Sequence, residues 1–460
     1  MRLDGRASVG CSSCRRHPPA SLAYDARRRT RPFMATLVLA IATLLGVARA
    51  EERTTKTLAE CIAIALEHHP GLKAAAAAVE AGHARTWEAT AKYLPDVNGL
   101  YSANWRHASP AARTGTNIDT RARTFNFYNT GVSFSQVLFD FGQTLNTIRA
   151  AQDAEQSLRA DAITERETVV FNVKLAYFDG LTARRLLGVA LETLRQTRKH
   201  LDEAHERFAV GLAPKFDVTQ AQVLLATAEF NEVVARNAVS LASETLRTAL
   251  GLTAPLTFDL VDSFEFHEAA VNEADTLSRA FDARPELQSL RARELGLTEQ
   301  LAALKTEFLP NIAAVANYNE SGSTYPLKPN WNLGANVTLS IFNGGLTTAQ
   351  IGEATANLSQ LRFNEEALRQ QIALEVRSAV LNLQQAAESI RVAEKGLQAA
   401  RENLNLAEGR YSTGVGNIIE LTDAQALLTA AQATQVESVY GYKKALAALE
   451  KATATAFTPD

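Results

Sequence analysis

Hydrophobic positions along this chain follow a helical period in some stretches and a strand period in others, and the order in which the periods appear is written twice. From Thr57 to Lys92 the spacing is helical, with Pro70 breaking it near the start and Leu94-Pro95 ending it. After Pro95 the period becomes two: Val97, Gly99, Tyr101, Ala103 and Trp105 face one way, Asn98, Ser102, Asn104 and Arg106 the other. A polar stretch from His107 to Thr124 leads to a second strand, where Val132, Phe134 and Leu138 alternate with Ser133 and Ser135 before Phe139-Asp140-Phe141-Gly142. Pro285 and Leu309-Pro310 repeat the helix signals 215 residues later. Ile312, Ala314 and Tyr318 mark a third strand. Leu333, Ala335, Val337, Leu339 and Ile341 alternate with Gly334, Asn336, Thr338 and Ser340 in a fourth, ending Phe342-Asn343-Gly344-Gly345. Each strand is predicted at about 10 residues, the length that crosses a bilayer when tilted.

Between Gly142 and Gly211, and again between Gly345 and Gly414, the chain runs 69 residues without an internal proline. Fully helical, each run would span roughly 100 Å. The second carries a heptad from Ile372 through Val376, Ala379, Leu383, Ala386, Ile390, Ala393, Leu397, Ala400, Leu404 and Ala407 to Tyr411; its counterpart, 203 residues earlier, runs from Val169 to Phe208. Alternating large and small apolar residues at this period let helices supercoil and approach closely. Returning helices continue the pattern with Val218, Ala221, Leu225 and Ala228, and with Leu421, Ala424, Leu428 and Ala431. Each half is therefore predicted to form an antiparallel coiled-coil hairpin. Its tip is Arg207-Phe-Ala-Val-Gly211-Leu in the first half and Arg410-Tyr-Ser-Thr-Gly414-Val in the second.

Four strands cannot close a barrel, and open sheet edges cannot face lipid. Membrane-spanning strands would require several chains to share one barrel; the alternative is a small soluble sheet with one buried face. The other helix faces are polar, so the helices themselves do not span a membrane.

Composition narrows the choice. Arg27-Arg28-Arg29-Thr30-Arg31, the apolar run Ala35 to Val47 and Ala48-Arg49-Ala50 have the layout of a secretory signal, with cleavage expected after Ala50. Residues 1–50 hold nine of the 47 basic and two of the 50 acidic residues, which leaves the remainder at a net charge of −10 and a poor nucleic-acid binder. Cys11 and Cys14 precede the expected cleavage site. Cys61 then stands alone as a buried small apolar residue, and no cysteine is placed for a lipid anchor. The expected organisation is a signal peptide and leader over 1–50, then a first repeat over 51–250 with a β-hairpin at 95–139 and a coiled-coil hairpin at 142–250. A linker over 251–274 precedes a second repeat over 275–456, with its β-hairpin at 310–342 and coiled-coil hairpin at 345–456.

No catalytic constellation stands out. His200 and His205 do not share a helix face, His68-His69 sit at a break, no glycine loop cradles phosphate, and no cofactor or metal is expected. Glu420 and Asp423 project from one helix face; around a symmetry axis they would line a constriction that attracts cations. Glu420 reads equally as part of a capping box with Asn417 as the cap, and Val210-Gly211-Leu212 as a glycine cap with apolar flanks.

The paired Leu-Pro helix ends, the two strand exits and the duplicated tips together resemble the TolC family of outer-membrane efflux and secretion proteins over nearly the whole chain after residue 50. The resemblance implies a homotrimer with a shared 12-stranded barrel in outer membrane lipid and a helical tunnel in the periplasm. It implies a periplasmic adaptor and an inner-membrane pump of ABC or RND type as partners, with a secreted protein or small molecules as cargo. It implies adaptor contacts at Val210, Gly211 and Leu212 and, as a partial match, at Thr413, Gly414 and Val415. Tyr411, Glu420, Asp423 and Asp217 match family gating positions, but Gly416 stands where an arginine latch is expected. The rival expectation is a soluble periplasmic coiled-coil adaptor or scaffold.

Overall fold

The computed structural model describes residues 55–108, 123–262, 264–269 and 271–455. The leader with Cys11 and Cys14, and most of the polar stretch between the first two strands, lie outside the described residues.

A short strand, β1 (Thr55–Lys56), leads into α1 (Leu58–His68) and α2 (Pro70–Ala91). Thr57 and Glu60 close a reciprocal cap on α1, and Pro70 opens α2 where a missing N–H costs nothing. Then come β2 (Asp96–Ala108), β3 (Arg123–Phe139), α3 (Gln143–Ala209), α4 (Lys215–Ala249) and β4 (Asp259–Leu260). The second half follows the same order: α5 (Glu273–Ala283), α6 (Pro285–Lys305), β5 (Asn311–Gly322), β6 (Lys328–Thr338), α7 (Leu346–Ser412) and α8 (Ile418–Thr453). The long helices α3 and α7 each have 67 residues, and the fold is mostly helical.

Both long helices start at a glycine in the left-handed region, Gly142 (φ 89°) and Gly345 (φ 84°), which turns the chain sharply out of the sheet. The Asp140 carboxylate accepts from the Gly142 and Thr144 amides at 3.1 and 2.8 Å, occupying the free donors of α3. Asn343 takes a different route, donating to the Thr347 hydroxyl at 2.7 Å.

The four long strands form one antiparallel sheet in the order β2-β3-β5-β6. Its register places Val97 opposite Phe134, Val132 opposite Tyr318, and Tyr318 opposite Trp331. One face thus gathers Val97, Tyr101, Trp105, Val132, Tyr318, Trp331, Leu333 and Val337, all exposed. The opposite face is amide-rich, with Asn317 bonded to Asn332 at 2.9 Å and Asn319 to Asn129 at 3.3 Å. The fourth strand is shorter than its alternation predicts. Thr338 already pairs with Asn311, the first residue of β5, so Leu339 to Phe342 have no partner strand among the described residues.

The core lies where α1, α5 and the connection between the halves pack on the helices. Ile372, Val376, Leu383 and Ile390 of α7 bury with Leu287 and Leu449, and Val169, Val173 and Leu181 of α3 with Cys61 and Tyr440. The stretch after residue 250 is built into this core: β4 pairs in parallel with β1, and the Tyr177 hydroxyl donates to the Val261 carbonyl at 2.6 Å. Phe264 and Phe266 pack against it as well. Along the hairpins, α4 packs on α3, α3 on α8, and α8 on α7, which leaves α4 and α7 at the outer edges.

Candidate functional site

Both hairpin tips end in the same backbone device. Gly211 (φ 79°) and Gly414 (φ 77°) take the left-handed conformation, and the next amides return to the helix, Leu212 to the Arg207 carbonyl at 2.8 Å and Val415 to the Arg410 carbonyl at 3.0 Å. This turns Val210, Leu212 and Val415 outward as apolar knobs that remain largely exposed, with Thr413 beside them bonded to its own helix. Gly416 is fixed by packing. Its amide donates to the Arg410 carbonyl at 2.9 Å, and a Cβ there would lie 3.0 Å from Arg410 Cβ and 3.2 Å from the Tyr411 amide nitrogen.

Asn417 caps α8 by accepting from the Glu420 amide at 2.9 Å. The reciprocal half of the expected capping box does not form, because the Glu420 carboxylate accepts from Arg410 Nε at 3.2 Å instead. Asp423, one helical turn on, is exposed and has no ion pair among the described residues. Glu420 and Asp423 therefore differ: one is held by a cation of its own hairpin, the other faces solvent as a bare charge.

Arg207, at the first tip, crosses to the second. Its guanidinium donates to the Tyr411 carbonyl at 2.9 Å and the Ser412 carbonyl at 3.4 Å, and lies 4.4 Å from the centre of the Tyr411 ring. These carbonyls belong to the last turn of α7, where helix geometry leaves acceptors free and a cation is favoured. Tyr411 is buried against Ile418 and Leu421, and its phenol is pushed up by burial and by the nearby Asp217 charge. Burial likewise pushes the Asp217 carboxyl up, with Arg207 pulling against it. The structure thus brings Arg207, Asp217 and Tyr411 together and keeps Glu420 apart with Arg410. Arg207 was not among the sequence candidates; its signal is that it repeats Arg410 at an interval of 203, with an acidic residue ten positions later in both copies.

Behind the tips, several buried polar atoms of α3, α7 and α8 are unsatisfied. Gln196 Oε1, both ring nitrogens of His200, the Tyr411 hydroxyl and Gln425 Oε1 are buried with no hydrogen-bond partner in the protein. Each such group costs about 1–3 kcal/mol of desolvation. No cluster of three or more metal-ligating side chains occurs among the described residues.

Residues 61–252 and 276–455 match the profile of the family described as outer membrane efflux protein. Outer membrane protein TolC of Escherichia coli (strain K12) is 25% identical over 398 residues, which covers 81% of this chain and 77% of the relative. Outer membrane efflux protein BepC of Brucella suis biovar 1 is 22% identical over 370 residues, covering 79% and 77%. The crystal structure of the Campylobacter jejuni CmeC outer membrane channel shares the fold, with a TM-score of 0.77 at 19% identity over 88% of this chain and 86% of its own. The chain belongs to the outer membrane efflux protein family.

Proposed function

We propose that this outer membrane export channel works as a homotrimer whose three four-stranded sheets close one 12-stranded barrel over a helical tunnel. The observation that carries the reading is the sheet, whose apolar face is uncovered and whose β2 and β6 edges are unpaired. Lipid suits that face, and closure by further copies removes both edges. A water-soluble scaffold would have to expose Trp105, Trp331 and Leu333 to solvent, so that alternative is not favoured.

The helices support the same assembly. Phe216, Val223, Phe230, Val234 and Leu241 form an exposed apolar stripe along α4, and Leu374, Leu381, Val392 and Leu406 another along α7. These are the two edge helices, so α7 of one copy has the complement of α4 of the next. Residues 51–250 and 275–456 then act as two copies of one wall unit.

In this reading the knobs Val210, Gly211 and Leu212 with Thr413, Gly414 and Val415 dock a periplasmic adaptor, which connects the channel to an inner-membrane pump of ABC or RND type. Tyr411, Asp217, Glu420 and Asp423 form the constriction, and Arg207 takes the cross-tip role that Gly416 cannot fill. Unsatisfied polar groups between α3 and α8, His200 and Gln425, lower the cost of parting the hairpins, because opening hydrates them. Native mass spectrometry of detergent-extracted protein tests the assembly: three chains are expected, and a water-soluble monomer would overturn it. Comparing the secretome and dye sensitivity of a deletion strain assigns the cargo to a secreted protein or to small molecules.

A further inference from the structure

A cavity of about 360 Å³ lies between α3, α4 and α8 behind the tips. The helices are antiparallel, and the Thr193–Thr429 hydroxyl contact at 3.0 Å sets their register, so Thr197 stands opposite Gln425 and His200 opposite Thr422. Most of the wall is apolar, including Ala221, Ala228 and Ala430. Threonine hydroxyls of the lining bond their own helices, and two of its polar side chains, Gln425 and His200, have buried atoms left without a partner. Gln425 is 6% exposed and its Oε1 has no partner; His200 has both ring nitrogens unpartnered, with the Glu203 carboxylate 3.7 Å from Nδ1, beyond hydrogen-bond length.

We propose that this cavity is a binding site for a small uncharged molecule with an aromatic or similarly apolar body and one hydroxyl, a phenol in chemical class, and that its occupant clamps the two hairpins together. The size fits. An apolar cavity of about 150 Å³ holds benzene, and ligand pockets begin near 300 Å³. The polar demand also fits. A neutral imidazole offers one N–H and one lone pair, and Gln425 Oε1 is an acceptor, so a hydroxyl accepts from the imidazole and donates to the amide oxygen. An uncharged ligand suits this lining, because the alanines, the threonines and Gln425 that make most of it carry no charge. An occupant here satisfies the groups whose hydration favours parting of the hairpins, so it holds the tip shut. The clamp rests on the channel reading above; binding itself does not.

The test is calorimetric titration of the full-length protein in nanodiscs with 4-bromophenol, with bromobenzene as the probe that lacks the hydroxyl and empty discs as blank. Wild type and variants share the same lipid, so partitioning cancels between them. One 4-bromophenol per chain is expected, bound at least tenfold more weakly by Gln425→Leu and by His200→Leu, with bromobenzene affinity changed by less than twofold. Ala228→Leu, which narrows the cavity and keeps both polar groups, should weaken binding of both probes and covers the case in which His200→Leu misfolds. Equal 4-bromophenol affinity in wild type and Gln425→Leu, or no saturable binding above the blank, would overturn the proposal and leave the cavity to water. Bound 4-bromophenol should also lower single-channel conductance; binding without that effect would retain the site and reject the clamp.

Discussion

Replacing Arg207 by alanine tests whether the cross-tip contact holds the tunnel mouth closed. The substitution removes two hydrogen bonds from a charged donor to the Tyr411 and Ser412 carbonyls and one contact with the Tyr411 ring. At a half-exposed site these contribute roughly 1 kcal/mol per hydrogen bond and 0.5 kcal/mol for the ring, or about 2.5 kcal/mol per chain. In the proposed trimer, three tips parting together would lose about 7.5 kcal/mol, and about 5.5 kcal/mol suffices to turn a population from 1:99 to 99:1. Planar-bilayer recordings of purified Arg207→Ala should show several-fold higher mean conductance than wild type. Arg207→Lys should fall between them, because an ammonium cannot stack on the ring and reach two carbonyls at once. Arg195→Ala is the control: among the described residues Arg195 pairs with Glu192 alone, on the exposed face of its own helix, and its loss should leave conductance unchanged. Wild-type conductance in Arg207→Ala, with trimers intact, would refute the assignment.

Three further outcomes follow from local geometry. Asp423→Asn and Glu420→Gln should each weaken the cation preference of single channels, because each removes one negative charge and the second also leaves Arg410 without its counter-ion; an unchanged preference in both would show that these acids do not line the ion path. Gly131→Val should eliminate heat-resistant trimers, since a Cβ at 131 would lie 2.5 Å from the Tyr318 carbonyl oxygen and 2.8 Å from Asn319 Cα in the paired strand. Burial, aided by repulsion from Glu286, raises the Glu167 carboxyl, so ionisation favours the unfolded chain and costs stability at neutral pH but not below the ordinary carboxylate range. Glu167→Gln should therefore raise the melting temperature at pH 7, with the gain vanishing towards pH 4, and a pH-independent gain would count against that origin.

The periodic parts of the fold were legible in the sequence because they depend on neighbours a few residues away. Ile372, Val376, Leu383 and Ile390 are buried where the heptad puts them, and the strand alternation separates an apolar face from an amide-rich one. Where the pattern failed, a distant partner decided. Phe208 occupies the heptad position of Tyr411 yet is 45% exposed, because Lys215 stands where the second tip offers Ile418. Ala386 is only partly covered while Ala387 is buried. Glu420 abandons the capping box for Arg410. Arg207 could have bonded the acid ten residues later, as Arg410 does, but Asp217 is one methylene shorter than Glu420 and Arg207 turns across to Tyr411. Spacing identifies which residues form a tip, and does not say which tip an arginine serves.

Duplication gives this difference a wider consequence that can be measured. Within the chain, the long helix α3 of the first hairpin rests on the return helix α8 of the second, with Thr193 against Thr429. The same relation shifted by one repeat puts the long helix α7 against a return helix α4, which must come from another copy because α4 and α7 are the outer edges of one chain. Counting 203 residues from Thr193 and back from Thr429 reaches Gly396 and Ala226, both exposed and small. A hydroxyl contact of 3.0 Å at the equivalent pair implies Cβ atoms about 5 Å apart, within reach of a disulfide after a small adjustment. In a Cys61→Ala background, Ala226→Cys with Gly396→Cys should oxidise to covalent dimers and trimers on denaturing gels, and either cysteine alone should not give trimers. A double variant that stays monomeric under oxidation while its native assembly persists would show that the copies meet in some other register, and that contacts within a chain do not repeat between chains.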